Sequence, residues 1–304
     1  MNWQAEIEAA AKRIAGHVRR TPVAELTLAG HTVAIKLEHM QHTGTFKARG
    51  AFNALIQGPV PAGGVVAASG GNHGAAVAHA AARLGIPARI FVPEIAGPSK
   101  IALIERTGAT LTVVPGAYAD ALDAALAHEA RTGAMQVHAY DSVATLAGQG
   151  TCLREWEDQG LDADTVLIAV GGGGLIAGAM AWLQGARRIV AVEPETSCAL
   201  HAALAAGQPV DVEVSGVAAN ALGARRIGRI CLDLAQAQGI AAVLVTDAAI
   251  LAAQRALWCE LRQLVEPAGA TALAALLSGA YRPEPGERVA VLVCGGNPAP
   301  DPLP

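Results

Sequence analysis

The sequence holds one amine whose surroundings could suit it to covalent chemistry. Lys47 stands beside Phe46 and just after the glycine turn at Gly44. Lysine amines are ordinarily solvated cations. A desolvated one is a nucleophile that condenses with a carbonyl group. Three glycine-rich turns, each at the end of an apolar run, could hold the anionic part of a carbonyl compound. They are Ala67 to Gly74 (AASGGNHG), Gly171 to Gly174 after the run ending at Val170, and Cys294-Gly295-Gly296-Asn297 after Val289 to Val293. Such a turn aims unpaired backbone N–H groups, and the positive end of any helix that follows, at whatever lies above the strand. Four consecutive glycines serve poorly as packing because each costs backbone entropy, so close approach by a phosphate is the favoured explanation. Ser69, Asn72 and His73 add polar handles to the first turn.

The second turn has a rival interpretation. Gly172, Gly174 and Ala177 fit G-x-G-x-x-A, and Glu193 ends the next apolar run, which together suggest an NAD(P)-dependent oxidoreductase. That alternative leaves the other two turns unexplained.

The elements that must position these groups alternate along the chain. Short valine- and isoleucine-rich runs predict strands at Val65 to Ala68, Ala88 to Val92, Thr110 to Val114, Val166 to Val170, Ile189 to Val192 and Val289 to Val293. Alanine-rich stretches between them predict helices at Ala75 to Leu84, Lys100 to Thr107, Tyr118 to Thr132, Leu175 to Leu183 and Ala248 to Leu264. Another helix opens at Glu266-Pro267, with proline where its missing N–H is harmless. Met1 to Arg20 is expected to form an amphipathic helix, and the proline-rich stretch Pro298 to Pro304 to be loose. This is the pattern of βαβ units and mostly parallel sheets. At 304 residues the chain has room for two domains, at roughly 150 residues each.

Several classes are disfavoured. A net charge of -4 with only 22 Lys plus Arg gives no footprint for a nucleic-acid backbone. The uncharged run Val166 to Leu183 is long enough to span a membrane, but five of its residues are glycine, so a strand, a turn and a helix are expected instead. Five widely spaced cysteines form neither a disulfide framework nor a zinc pattern, so a reducing cytoplasm is the expected compartment.

The segment Lys36 to Ala51 (KLEHMQHTGTFKARGA) resembles the Lys-x-Glu-x-x-Gln-x-Thr-Gly-Ser-Phe-Lys-x-Arg-Gly-Ala block of fold-type II pyridoxal-phosphate enzymes, especially serine and threonine dehydratases. The Ser-Gly-Gly-Asn turn, His138 to Thr151 (HAYDSVATLAGQGT), the tetraglycine, Glu266-Pro267 and the Cys-Gly-Gly-Asn turn recur in that family's order. The resemblance implies an α/β fold of two domains, each a mostly parallel sheet flanked by helices, with the cofactor in the interdomain cleft. The large cofactor-binding domain would comprise residues 1–63 and 140–304, and the small substrate-binding domain residues 64–139. It implies that Lys47 carries pyridoxal 5'-phosphate as a Schiff base, that Phe46 flanks the ring, and that Asn72 bonds the ring hydroxyl. Gly171, Gly172, Gly173 and Gly174 would hold the phosphate, Cys294 would face the pyridine nitrogen, and Glu266 would lie at the cofactor. Ser69, Gly70, Gly71, Asn72 and His73 would bind the substrate carboxylate.

The implied activity is β-elimination of water from serine or threonine to a 2-oxo acid and ammonia, in a homodimer. A 3-hydroxyaspartate dehydratase and a racemase are the neighbouring alternatives within the family. A serine-racemising relative uses a serine two residues before the turn's asparagine as second base, and here that position is Gly70. Relatives hold a cation on a glutamate after a strand and a carboxylate six residues later. Glu193 fits the first position and Ala199 breaks the second, which leaves at most a monovalent ion on Glu193. Asn220 stands where those dehydratases usually carry aspartate, and no appended regulatory module is expected after Asn297.

Overall fold

The computed structural model describes residues 1–28, 30–96, 98–116 and 118–298. Most of the proline-rich stretch expected to be loose, residues 299–304, lies outside them. The ten strands are β1 (Val23–Leu28), β2 (His31–Lys36), β3 (Val65–Ala68), β4 (Ala88–Pro93), β5 (Thr110–Val114), β6 (Met135–Gln136), β7 (Thr165–Ala169), β8 (Arg188–Pro194), β9 (Ala241–Val245) and β10 (Val289–Leu292).

They form two sheets. One has the order β1-β2-β10-β7-β8-β9, parallel except for the antiparallel β1–β2 pair, and the other is the all-parallel β5-β4-β3-β6. The run TVLIA of β7 is buried at every residue, as expected of a central parallel strand covered by helices on both faces. By contrast β1 (VAELTL) alternates in burial and sits at the sheet edge. The uncharged run from Val166 divides into β7, a turn and the helix Gly174–Leu183. Among the described residues, no helix is long and apolar enough to cross a membrane.

Boundaries moved where caps intervened. The N-terminal helix is shorter than expected, spanning Trp3–Arg13. The helix after β9 stops at Leu261, where Arg262 turns into the left-handed region at φ 55. The hairpin β1–β2, strand β9 and the long helix Val143–Asp158 were not anticipated.

Each sheet has its own apolar core, and the helix Lys47–Ile56 belongs with the smaller one. Its Ala48, Ala51, Phe52 and Leu55 pack with Val65, Val77 and Ile90. A buried ionic cluster ties the same helix to the larger sheet. Arg49 Nε lies 2.6 Å from Glu38 Oε1 and its Nη2 lies 3.0 Å from Glu155 Oε2. Lys36 Nζ lies 2.6 Å from Glu155 Oε1, and the Thr21 hydroxyl donates to Glu38 Oε2 at 2.6 Å. Anchored two residues past Lys47, this cluster fixes the start of the helix at the junction of the two sheets.

Candidate active site

Strand order explains why distant motifs meet. β2, β10 and β7 are adjacent, and the chain leaving their carboxyl ends carries the Lys47 segment, Cys294 and the tetraglycine respectively. Ligands bind at that edge of open parallel sheets. The Lys47 segment is strapped to the end of β10: Thr45 bridges Gly295, Phe46 N–H donates to the Cys294 carbonyl at 3.5 Å, and Gly296 N–H donates to the Gly44 carbonyl at 2.9 Å.

The tetraglycine leads into the helix Gly174–Leu183, with Gly173 at φ 90. A Cβ on Gly172 would fall 2.3 Å from the Tyr140 ring, on Gly173 2.5 Å from Cys231 Sγ, and on Gly174 2.3 Å from Gln149 Oε1. The turn is therefore wedged between side chains that leave room for glycine alone. Gly172 also accepts from Gly228 N–H at 3.1 Å.

Lys47 Nζ donates to the Ala139 carbonyl at 3.4 Å and lies 5.1 Å from the centre of the Phe46 ring. The residue as a whole is only half-buried, but its amine end is enclosed. Desolvation lowers the amine to about 8, against the opposing pull of Cys294 and Glu266. Burial pushes the Cys294 thiol up to about 12, and its Sγ donates to the Ala268 carbonyl at 3.4 Å. A neutral thiol therefore faces this region.

Asn72 opens the helix Asn72–Leu84, and its Nδ2 donates to Glu266 Oε1 at 2.7 Å. Phe46, Lys47, Asn72, Gly171 to Gly174, Glu266 and Cys294 all line a single pocket, together with Tyr140 and Leu222. Ser69, Gly70, Gly71 and His73 are not among its lining residues; the first three form the turn that leads into Asn72, and His73 follows it in the helix. The Ser69 hydroxyl accepts from Gly71 N–H at 3.2 Å. His73 is buried and its Nε2 donates to the Val137 carbonyl at 2.7 Å. Burial first, then the nearby Lys47 charge, lowers that imidazole to about 3, so it is neutral.

Glu193 is not among the residues that line the pocket. It is fully buried, and its two oxygens accept from Leu200 and His201 N–H at 2.8 Å each, where they cap the helix Ala199–Ala206. Burial raises it to about 7. Its oxygens thus face backbone donors at that helix. Among the described residues, no group of three or more His, Cys, Asp or Glu is arranged to hold a metal ion.

Sequence reasoning missed Tyr140, Gln149, Leu222 and the role of Asn297. Tyr140 and Gln149 both lie within the segment His138 to Thr151, and an aromatic residue in an otherwise small-residue stretch was the available signal.

Comparisons with known proteins agree with this geometry. The sequence model of the family described as pyridoxal-phosphate dependent enzyme matches residues 14–295. The phenylserine dehydratase of Ralstonia pickettii is 37% identical over 294 residues, covering 94% of this chain and 90% of its own. Among solved structures, maize serine racemase superposes with a TM-score of 0.91 at 31% identity, over 97% of this chain and 93% of its own. The serine racemase of Dictyostelium discoideum superposes with a TM-score of 0.88 at 28% identity, over 97% and 98%, and a threonine deaminase with a TM-score of 0.89 at 32% identity, over 96% and 97%.

Proposed function

This chain belongs to the family of pyridoxal-phosphate-dependent enzymes, and we propose that within it the protein is a dehydratase that removes water from a β-hydroxy amino acid, giving an enamine that takes water back up as it hydrolyses to a 2-oxo acid and ammonia. The observation that carries the proposal is one pocket lined by an enclosed amine, a four-glycine turn and a neutral thiol. Those groups match an aldehyde, a phosphate and a pyridine ring in turn. No Cβ fits at Gly172, Gly173 or Gly174, so the turn can meet a ligand only with bare main chain and its N–H groups.

The roles follow from the chemistry of the side chains. Lys47 would supply the amine for the aldehyde, and Gly171 to Gly174 would hold the phosphate through backbone N–H groups. Bound there, the cofactor would draw electrons from Cα of an attached amino acid and make its proton removable. Lys47, with its pKa lowered to about 8, is suited to take that proton near neutral pH. The turn Ser69 to His73 presents a helix N-terminus to the substrate carboxylate. Cys294, held neutral, would place no anion against a pyridine nitrogen and would not keep it protonated as an aspartate would, a setting that suits loss of a β-substituent.

Racemisation needs a second proton donor on the far face. Gly70 offers none, and the space is already filled: a Cβ there would lie 2.4 Å from Ala96 Cβ and 2.9 Å from Val92 Cγ1. That packing favours dehydration over the activity named for the maize relative.

Purified protein is expected to release ammonia and a 2-oxo acid from at least one of serine, threonine and phenylserine. Borohydride should fix pyridoxal phosphate to the peptide that contains Lys47. Absence of ammonia from the whole panel, with the adduct present, would refute the dehydratase; absence of the adduct would refute the site.

A further inference from the structure

We infer that Asn297 is a positioning residue: through a one-way chain of hydrogen bonds it sets which end of the Asn72 amide is free to face the pocket. The inference rests on the pyridoxal-phosphate assignment of that pocket and deepens it.

The oxygen and nitrogen of an amide are almost equal in size, so their partners decide which end points where. Here the partners leave no choice. The Thr43 carbonyl can only accept, and the atom 2.7 Å from it is Asn297 Nδ2, which donates. The same nitrogen spends its second hydrogen on Asn72 Oδ1 at 2.9 Å. The Asn72 nitrogen is thereby turned to Glu266 Oε1, 2.7 Å away, a carboxylate oxygen that accepts. Of the two hydrogens on Asn72 Nδ2, Glu266 takes one. The other remains on a residue that lines the pocket with Lys47 and Cys294. The order of donors and acceptors thus runs from Thr43 through Asn297 and Asn72 to Glu266, and its outcome is a donor for the ligand.

The backbone around Thr43 is shaped to permit the chain. Thr43 itself lies in the left-handed region at φ 59, a conformation that a non-glycine residue keeps only where surrounding contacts impose it. Gly44 follows at φ 75, and a Cβ there would stand 2.5 Å from Asn297 Oδ1. The Thr-Gly turn before Lys47 and the Asn of the Cys-Gly-Gly-Asn turn therefore act as one device, although Thr43 and Asn297 lie 254 positions apart.

A donor aimed at the pocket suits an oxygen that carries negative charge, here the ionised ring hydroxyl of pyridoxal phosphate. That oxygen needs the donor most when the neighbouring imine nitrogen has lost its proton. An oriented donor therefore lowers the pH at which the lysine-bound cofactor deprotonates, and a misoriented one raises it.

Asn297→Asp tests the sign of the chain, since it keeps the shape but can only accept. It cannot donate to Thr43 or Asn72, so it and Glu266, both acceptors, compete for the Asn72 nitrogen, and the hydrogen left for the pocket is drawn away from it. Asn297→Ala removes the constraint, and Asn297→Ser keeps a single donor. The readouts are the pH titration of the visible band of the holoenzyme and the affinity of cofactor-stripped protein for pyridoxal phosphate. The melting temperature of the stripped protein checks folding. For Asn297→Asp we expect a titration midpoint about one pH unit higher and an affinity about tenfold weaker. Asn297→Ser should fall between the parent and Asn297→Ala. Parental midpoint and affinity in all three folded variants, or the reverse order for Asn297→Ser, would overturn the inference. Failure of borohydride to fix pyridoxal phosphate at Lys47 of the parent would instead overturn the underlying assignment of the pocket.

Discussion

Replacing Lys47 by methionine should stabilise the cofactor-free protein, and the gain should depend on pH. The amine sits at about 8 because burial disfavours its charge, whereas an unfolded lysine titrates near its ordinary 10.5. Between those two values the unfolded chain holds a proton that the folded chain has lost, so stability rises with pH across that window. Below about pH 8 both states are protonated, and the folded protein bears the whole cost of an enclosed ammonium. The gap between about 8 and 10.5 corresponds to about 3 kcal/mol, an upper figure because part of the side chain remains solvated. Methionine is similar in length, carries no charge and keeps the packing against Phe46. Lys47→Met should therefore gain about 1–3 kcal/mol at about pH 7, or roughly 2–10 °C in melting temperature, and close to nothing at about pH 11. Denaturant unfolding of parent and variant across that range reads both numbers. A variant less stable than the parent at neutral pH, or a gain independent of pH, would show that the amine is not desolvated and would remove the argument for its reactivity.

Two further outcomes follow from buried groups. Arg49→Met strands the Glu38 carboxylate, which is fully buried and otherwise bonded by Thr21, so unfolding should become easier by about 3–5 kcal/mol, with part recovered in the double variant with Glu38→Gln. Burial works to raise Glu38, but Arg49 and Thr21 outweigh it and hold the folded carboxyl below its ordinary range; the stability it contributes is thus present above about pH 4.5 and is lost as pH falls through the lower folded value, a loss that should start at higher pH in Arg49→Met. A maleimide reagent should label the exposed Cys259 promptly and spare Cys152, Cys231 and Cys294, whose thiols are buried and pushed above their usual range; peptide mass spectrometry that finds Cys294 modified as fast as Cys259 in folded protein would contradict the neutral, enclosed thiol.

What the sequence disclosed, and what it withheld, divides along one physical line. The tetraglycine and the glycine turn before Asn72 were legible because their chemistry is local: a glycine's freedom and a helix N-terminus act within a few residues of where they are written, whereas the Phe46-Lys47 pair stood out only through the resemblance of its whole segment to a family block. The parallel strands were legible for the same reason, since β7 and β10 are short unbroken apolar runs. The hairpin β1–β2 was not, because Val23–Leu28 lies at a sheet edge and carries Glu25 and Thr27 among its apolar residues, which dilutes the pattern.

The orienting network around Asn72 lies on the far side of that line. Every one of its bonds joins residues that only the fold brings together: Asn72 to Glu266, Asn297 to Asn72 and Asn297 to Thr43. Composition could mark Asn297 as polar, but polarity does not say which way an amide faces. That direction depends on the Thr43 carbonyl being an acceptor only, and on its arriving within 2.7 Å of one particular nitrogen. It arrives there because β2 and β10 are parallel neighbours, which aligns the chain leaving each strand side by side. Sheet order, rather than any motif, thus connects the turn before Lys47 to the donor at Asn72. A change at Gly44 would accordingly reach Asn72 through Asn297, even though no motif spacing links those residues.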